Sequence, residues 1–257
     1  MYAKRKKKTT AGLALGSGGV KGMAHIGALQ VFYEEGITFD VVAGTSIGSL
    51  IGALYARGYS PRDILNLKDE LFGFRKHDMV AMPFGGLVRA MRKIFGDADF
   101  SDLKKPFAAV ATDADTGEEV VINEGDLATA IAASCAVPPV FGRVRRGGRN
   151  LVDGAFVKYV PSDVAIALGA QKVVGINLGS GNDSNRAIKA ALDKTYPDNG
   201  VSVGNRSRQY YENTDVFIEP LLKGVRGFGL KGLEEIYEAG YTAASEKITE
   251  IKRALKR

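Results

Sequence analysis

The run VVAGTSIGSL, residues 41–50, carries Gly44-Thr45-Ser46-Ile47-Gly48, one serine with a glycine two positions away on each side. A serine at the corner of a strand–turn–helix projects its hydroxyl above the sheet edge. Glycines two before and two after it relieve the crowding of that strained corner. The flanks suit this: FDVVAG reads as a strand, and IGSLIGALYARG as a small-residue helix ending near Gly58. The N–H groups that open such a helix favour developing negative charge. The chemistry suggested is attack by a hydroxyl.

A serine hydroxyl is a poor nucleophile until a base takes its proton, and histidine is the usual base. The chain has two histidines, His25 and His77. In the α/β-hydrolase order the histidine comes last, far downstream of the serine, and neither fits. His25 reads as a packed or capping residue, and His77, beside Lys76 and Asp78, as a surface one. A carboxylate can serve if burial or a shortage of hydrogen bonds lifts its pKa from about 3.9 toward neutrality. Asp153 in NLVDGAF is the best candidate: it ends a short apolar strand, and Gly154 and Ala155 leave room for close approach. Taken alone, Asp153-Gly154 is equally an ordinary turn.

Acyl transfer also needs donors for an oxyanion. GSGGVKG, residues 16–22, follows an apolar strand and opens a helix, and Gly18 and Gly19 can present adjacent N–H groups to one oxygen. Lys21 precedes Gly22, which breaks a P-loop. It also occupies the last glycine position of a dinucleotide fingerprint counted from Gly16. Asp40 stands about where a ribose-binding acid would, which keeps a dinucleotide reading open. Lys21 has two readings, a contact to substrate phosphate or the oxyanion, and a cap on the first helical turn.

These residues need elements to hold them. Strands are expected at Gly12–Leu15, Asp40–Ala43, 172–179 and 215–220, a helix over Val20–Glu35, and a helix capped by Ser60 with Pro61 at its first position. Residues 107–125 read as a hairpin around Asp115-Thr116-Gly117, 71–100 as irregular, and the C-terminus as a long amphipathic helix. Strands that are near-continuous apolar runs, alternating with helices, predict a mainly parallel sheet covered on both faces. The 257 residues, 45% hydrophobic, suit one domain at 11–257 behind a basic, flexible tail at 1–10. One cysteine, Cys135, precludes an internal disulfide and fits a reducing compartment.

In chain order stand Gly18-Gly19-Val20-Lys21-Gly22, Gly44-Thr45-Ser46-Ile47-Gly48 and Asp153-Gly154-Ala155. With TDADTGE, AASCAVPPVF and EAGYTAA, they make the chain resemble the patatin-like phospholipases, in particular their small bacterial members, from about Leu13 to Ala244. The resemblance implies a three-layer α/β/α sandwich and lipid acyl hydrolysis through an acyl-enzyme. It makes Ser46 the nucleophile, activated by Asp153 without histidine, and gives the oxyanion hole to Gly18 and Gly19. Two positions depart from the family pattern: Ser17 replaces the first glycine of the loop, and Ala155 stands where glycine is common. Both substitutes are small.

The expected substrate is a lipid or other acyl ester, with no cofactor, no metal and no nucleic acid. The net charge of +6, concentrated at Lys4–Lys8 and Lys252–Arg257, is compatible with solvated ends or with peripheral contact to an anionic membrane. The expected location is the cytoplasm, including the inner membrane face. Residues 71–100 mix apolar and basic side chains, as would a flap docking on a bilayer or helices packed on the core. A regulatory or scaffold protein on the same fold is the alternative function.

Overall fold

The computed structural model describes residues 9–72, 85–179, 189–190, 192–201, 213–222 and 232–256. Among the described residues the strands form an eight-stranded sheet. Its strands are β1 (Ala11–Leu15), β2 (Val41–Thr45), β3 (Phe107–Asp113), β4 (Glu119–Ile122), β5 (Val144–Arg146), β6 (Arg149–Asp153), β7 (Lys172–Ile176) and β8 (Val216–Ile218). The pairing path is β5-β6-β3-β2-β1-β7-β8, with β4 also on β3. From β3 to β8 along this path the pairs are parallel, while β4 and β6 join β3 antiparallel, as β5 does β6.

Among the described residues the helices whose bounds are complete are α1 (Met23–Glu34), α2 (Ile47–Arg57), α3 (Pro61–Asn66), α4 (Lys68–Phe72), α5 (Gly86–Phe95), α6 (Leu127–Ser134), α7 (Ser162–Ala167) and α8 (Leu233–Leu255). Successive strand side chains point to opposite faces, and the two faces feed two cores. Leu13, Leu15, Val42, Phe107, Ala109, Val174 and Ile176 join residues of α1, α2, α6 and α8. Ala14, Val41, Ala43, Ala108, Val110 and Val173 pack with Val164 and Ala165 of α7. That is a sheet between two helical layers, as expected.

Local signals located most elements to within two or three residues. Ser60 caps α3 in a reciprocal box with Asp63, behind Pro61. Residues 71–100 are not irregular throughout: Gly86–Phe95 is helical, because Leu87, Met91 and Phe95 recur every four residues and are buried on the core. The flap reading between α4 and α5, His77 and most of the basic tail lie outside the described residues.

One pairing detail positions the site. Ala109 and Val110 of β3 pair with β2 and β4, and Ala111 and Thr112 pair with β4 and β6. A residue has only two ladder edges, so β2 and β6 share the same edge of β3. They run toward each other and stop tip to tip: Thr45 pairs with Val110, and Asp153 with Ala111. The residue after Thr45 is Ser46.

Candidate active site

Ser46 leaves β2 at φ 54°, ψ −126°, a region sparsely populated by residues with side chains. The turn is tight enough to require its flanking glycines. A Cβ on Gly48 would lie 2.1 Å from the Leu15 carbonyl oxygen, and one on Gly44 2.4 Å from that of Gly48. The Ser46 carbonyl accepts from the Ser49 N–H at 2.8 Å, as the first turn of α2, and from Ser49 Oγ at 2.7 Å. The Ser46 N–H donates to Ser134 Oγ at 2.9 Å. The side chain is nearly buried, and its hydroxyl donates to Asp153 Oδ2 at 2.5 Å.

Asp153 is fully buried where β6 ends. Its Oδ1 accepts from the Ala155 N–H at 2.8 Å, and its main chain is held by Ala136 O and Thr112 Oγ1. Among the described residues no cation pairs with it. Burial raises its pKa from 3.8 to about 7, against the hydrogen bonds from Ser46 and Ala155, which favour the carboxylate. A proton acceptor poised near neutrality, within hydrogen-bond reach of a hydroxyl, meets the geometric and energetic conditions for general-base chemistry.

The loop after β1 leaves the sheet beside this turn, since Leu15 pairs with Gly44. It also packs on α2: a Cβ on Gly22 would lie 2.2 Å from Ile47 Cγ1. Gly16 N–H donates to Ile176 O and Ser17 N–H to Tyr159 O, both at 3.0 Å. The N–H groups of Gly18 and Gly19 have no acceptor among the described residues. His25 is fully buried on α1, with Nε2 2.8 Å from the Gly16 carbonyl. A carbonyl only accepts, so Nε2 carries the proton. Burial lowers the ring's pKa to about 4, keeping it neutral. His25 is therefore packed, and it braces the glycine loop rather than capping a helix. Lys21 Nζ donates to Gly179 O beyond β7, and burial lowers its pKa. Asp40 is removed from any ribose role. It precedes β2 at the far end of the sheet and accepts the Ala11 N–H at 2.8 Å, whereas ligands in such sheets meet the carboxyl ends of strands.

Comparison with known proteins bears on the same residues. The family model for patatin-like phospholipases matches residues 13–166. The chain belongs to the patatin-like phospholipase family. This patatin-like chain is 31% identical over 191 residues to mouse patatin-like phospholipase domain-containing protein 6, covering 68% of this chain and 14% of that protein. It is 32% identical over 200 residues to an NTE family protein of Mycobacterium tuberculosis, covering 71% and 52%. The chain thus spans at most about half the length of these relatives. Among solved structures, VipD of Legionella pneumophila aligns over 97% of this chain and 72% of its own, at TM-score 0.58 and 16% identity. Human GIVD cytosolic phospholipase A2 aligns over 96% and 63%, at 0.56 and 8%. These two likenesses concern the fold.

Within this patatin-like fold the structure brings together Ser46, Asp153, Gly154 and Ala155, with the Gly18–Gly22 loop on the adjacent strand. Gly154 is needed for that closeness, since a Cβ there would lie 2.2 Å from Val110 O. Sequence reasoning missed Ser49, Ser134 and Cys135. Ser134 is buried and ends α6, and Cys135 Sγ lies 3.9 Å from Ser49 Oγ. Burial, then the Asp153 charge, pushes the Cys135 thiol up, which leaves it protonated beside the site. The available signal was a lone serine closing the apolar helix LATAIAAS. Among the described residues no three His, Cys, Asp or Glu side chains cluster as a metal site requires.

Proposed function

We propose that this patatin-like chain is a lipid acyl hydrolase, a carboxylic ester hydrolase working through a serine–aspartate dyad. Ser46 Oγ attacks the ester carbonyl as Asp153 Oδ2 takes its proton. The tetrahedral oxyanion is held by the Gly18 and Gly19 N–H groups and lies in the field of the α2 N-terminus. Collapse expels the alcohol, which recovers the proton from Asp153, and leaves an acyl-Ser46 ester. Water, deprotonated by Asp153, then releases the acid and restores Ser46. The observation that carries this reading is the 2.5 Å hydrogen bond from Ser46 to a fully buried carboxylate whose pKa is raised to about 7. Family membership supports the lipid class of substrate. Peripheral contact with an anionic membrane from the cytoplasmic side belongs to the same reading and is supported by the net charge of +6.

Burst kinetics on p-nitrophenyl esters of graded chain length test it. Wild type should show acyl-enzyme burst and turnover, and Ser46→Ala and Asp153→Asn should each lose turnover by roughly 10³-fold or more while the fold survives. Wild-type turnover in Asp153→Asn would refute the dyad. Inert wild type that also resists a serine-reactive phosphonate would favour a regulatory role.

A further inference from the structure

Ser46 sits in a backbone conformation in which no chain neighbour satisfies its N–H. At φ 54° its N–H has left the β2–β3 ladder and cannot join the helix that follows. A buried N–H without an acceptor is costly. The acceptor here comes from 88 residues away: Ser134 Oγ at 2.9 Å. Ser134 is itself fully buried, and its hydroxyl proton is committed to Val110 O at 2.6 Å. With the proton fixed on Val110, the Ser134 oxygen can only accept at Ser46.

Val110 is the residue that pairs with Thr45, and its neighbour Ala111 pairs with Asp153. Ser134 therefore ties the peptide of Ser46 to the one stretch of β3 against which both halves of the dyad are aligned. The other side of Ser46 is held too. Its carbonyl accepts from Ser49 Oγ, which touches the thiol of Cys135, the residue after Ser134. The N–H of Ser46 is thereby occupied and unavailable to an oxyanion, whereas those of Gly18 and Gly19 have no acceptor among the described residues.

We infer that Ser134 is a positioning residue: through Val110 it holds the Ser46 peptide in its strained conformation and so keeps the hydroxyl on Asp153. This rests on the hydrolase reading for its catalytic consequence, but not for its geometry. The test therefore has two readouts. One is the rate at which an alkyl fluorophosphonate labels Ser46, as a function of pH. The other is hydrogen exchange at the Ser46 amide, read beside the thermal midpoint.

Ser134→Ala should label at least about tenfold more slowly, with a pH midpoint above that of wild type because the Ser46 bond that favours the Asp153 carboxylate is loosened, and its Ser46 amide should exchange faster. Ser134→Thr keeps the hydroxyl and adds a methyl to a packed site. It should label within about threefold of wild type even if its thermal midpoint falls, which a purely structural role would not allow. Labelling of Ser134→Ala at the wild-type rate, or of Ser134→Thr as slowly as Ser134→Ala, would overturn the inference. If wild type takes no label, the hydrolase reading fails and exchange alone decides. Faster exchange at Ser46 in Ser134→Ala would uphold the clamp, and equal exchange would refute it.

Discussion

Two carboxylates sit on the short ladder between β3 and β6, and they are built for different ends. Asp113 pairs opposite Leu151, and Asp153 opposite Ala111. By the period of two both point to the same face. Both are buried, at 4% and 0% exposure. Asp113 Oδ1 accepts the N–H groups of Asp115 and Thr116, shaping the hairpin turn, and Oδ2 lies 3.6 Å from the Arg149 guanidinium. Asp153 also receives one turn N–H, from Ala155, but its second oxygen faces a neutral hydroxyl. What distinguishes the Asp153 turn is that among the described residues no cation accompanies the charge, and burial raises its pKa to about 7.

The contrast can be broken by exchanging each acid for its amide. Asp153→Asn should lower ester turnover by roughly 10³- to 10⁴-fold, the scale on which dyad and triad members act. Asp113→Asn should stay within about threefold. Wild-type turnover should climb as pH rises through about 7, because only the unprotonated Asp153 can accept the Ser46 proton, and Asp113→Asn should keep that midpoint. Equal losses in the two amides would erase the distinction.

Stability sharpens it. The folded pKa of Asp153 is raised from 3.8 to about 7, so between these values the native state holds a proton that the unfolded chain has released. Stability from this group is full below about 4, falls as pH rises to about 7, and is flat above, by about 1.4 kcal/mol per unit of separation. Asp153→Asn should lack that fall, so thermal melts from pH 4 to 8 should show it gaining on wild type up to about 7. Parallel curves would contradict the assigned environment. The smallest effect belongs to Arg149→Met. Its guanidinium is half exposed, and the pair should contribute no more than about 1 kcal/mol, read as a slightly lower melt with turnover unchanged.

Much of this site was legible because it is local. A strand, a small-residue helix and two glycines around Ser46 are contiguous signals, and the structure shows the glycines to be sterically required. Asp153 was less legible. Its turn reads as any Asp-Gly turn, and its meeting with Ser46 depends on β6 reversing onto an edge of β3 already begun by β2, two strands about a hundred residues apart that meet only end to end. The family resemblance carried that step. Ser134 carried no local mark beyond polarity in an alanine-rich helix. Within 71–100, the four-residue spacing of Leu87, Met91 and Phe95 was legible but was masked by interspersed Arg89, Arg92 and Lys93.

The tip-to-tip arrangement of β2 and β6 on β3 also has a consequence in time. The two partners of the central hydrogen bond are 107 positions apart. At a synthesis rate of about 5–20 residues per second, the serine leaves the ribosome roughly 5 to 20 s before the aspartate. A nascent chain already displays the Ser46 turn in sequence, yet the hydrogen bond to Asp153 cannot form until β6 has been made and has folded back along β3. On the proposed mechanism, the hydrolase is assembled only after most of the chain has been made.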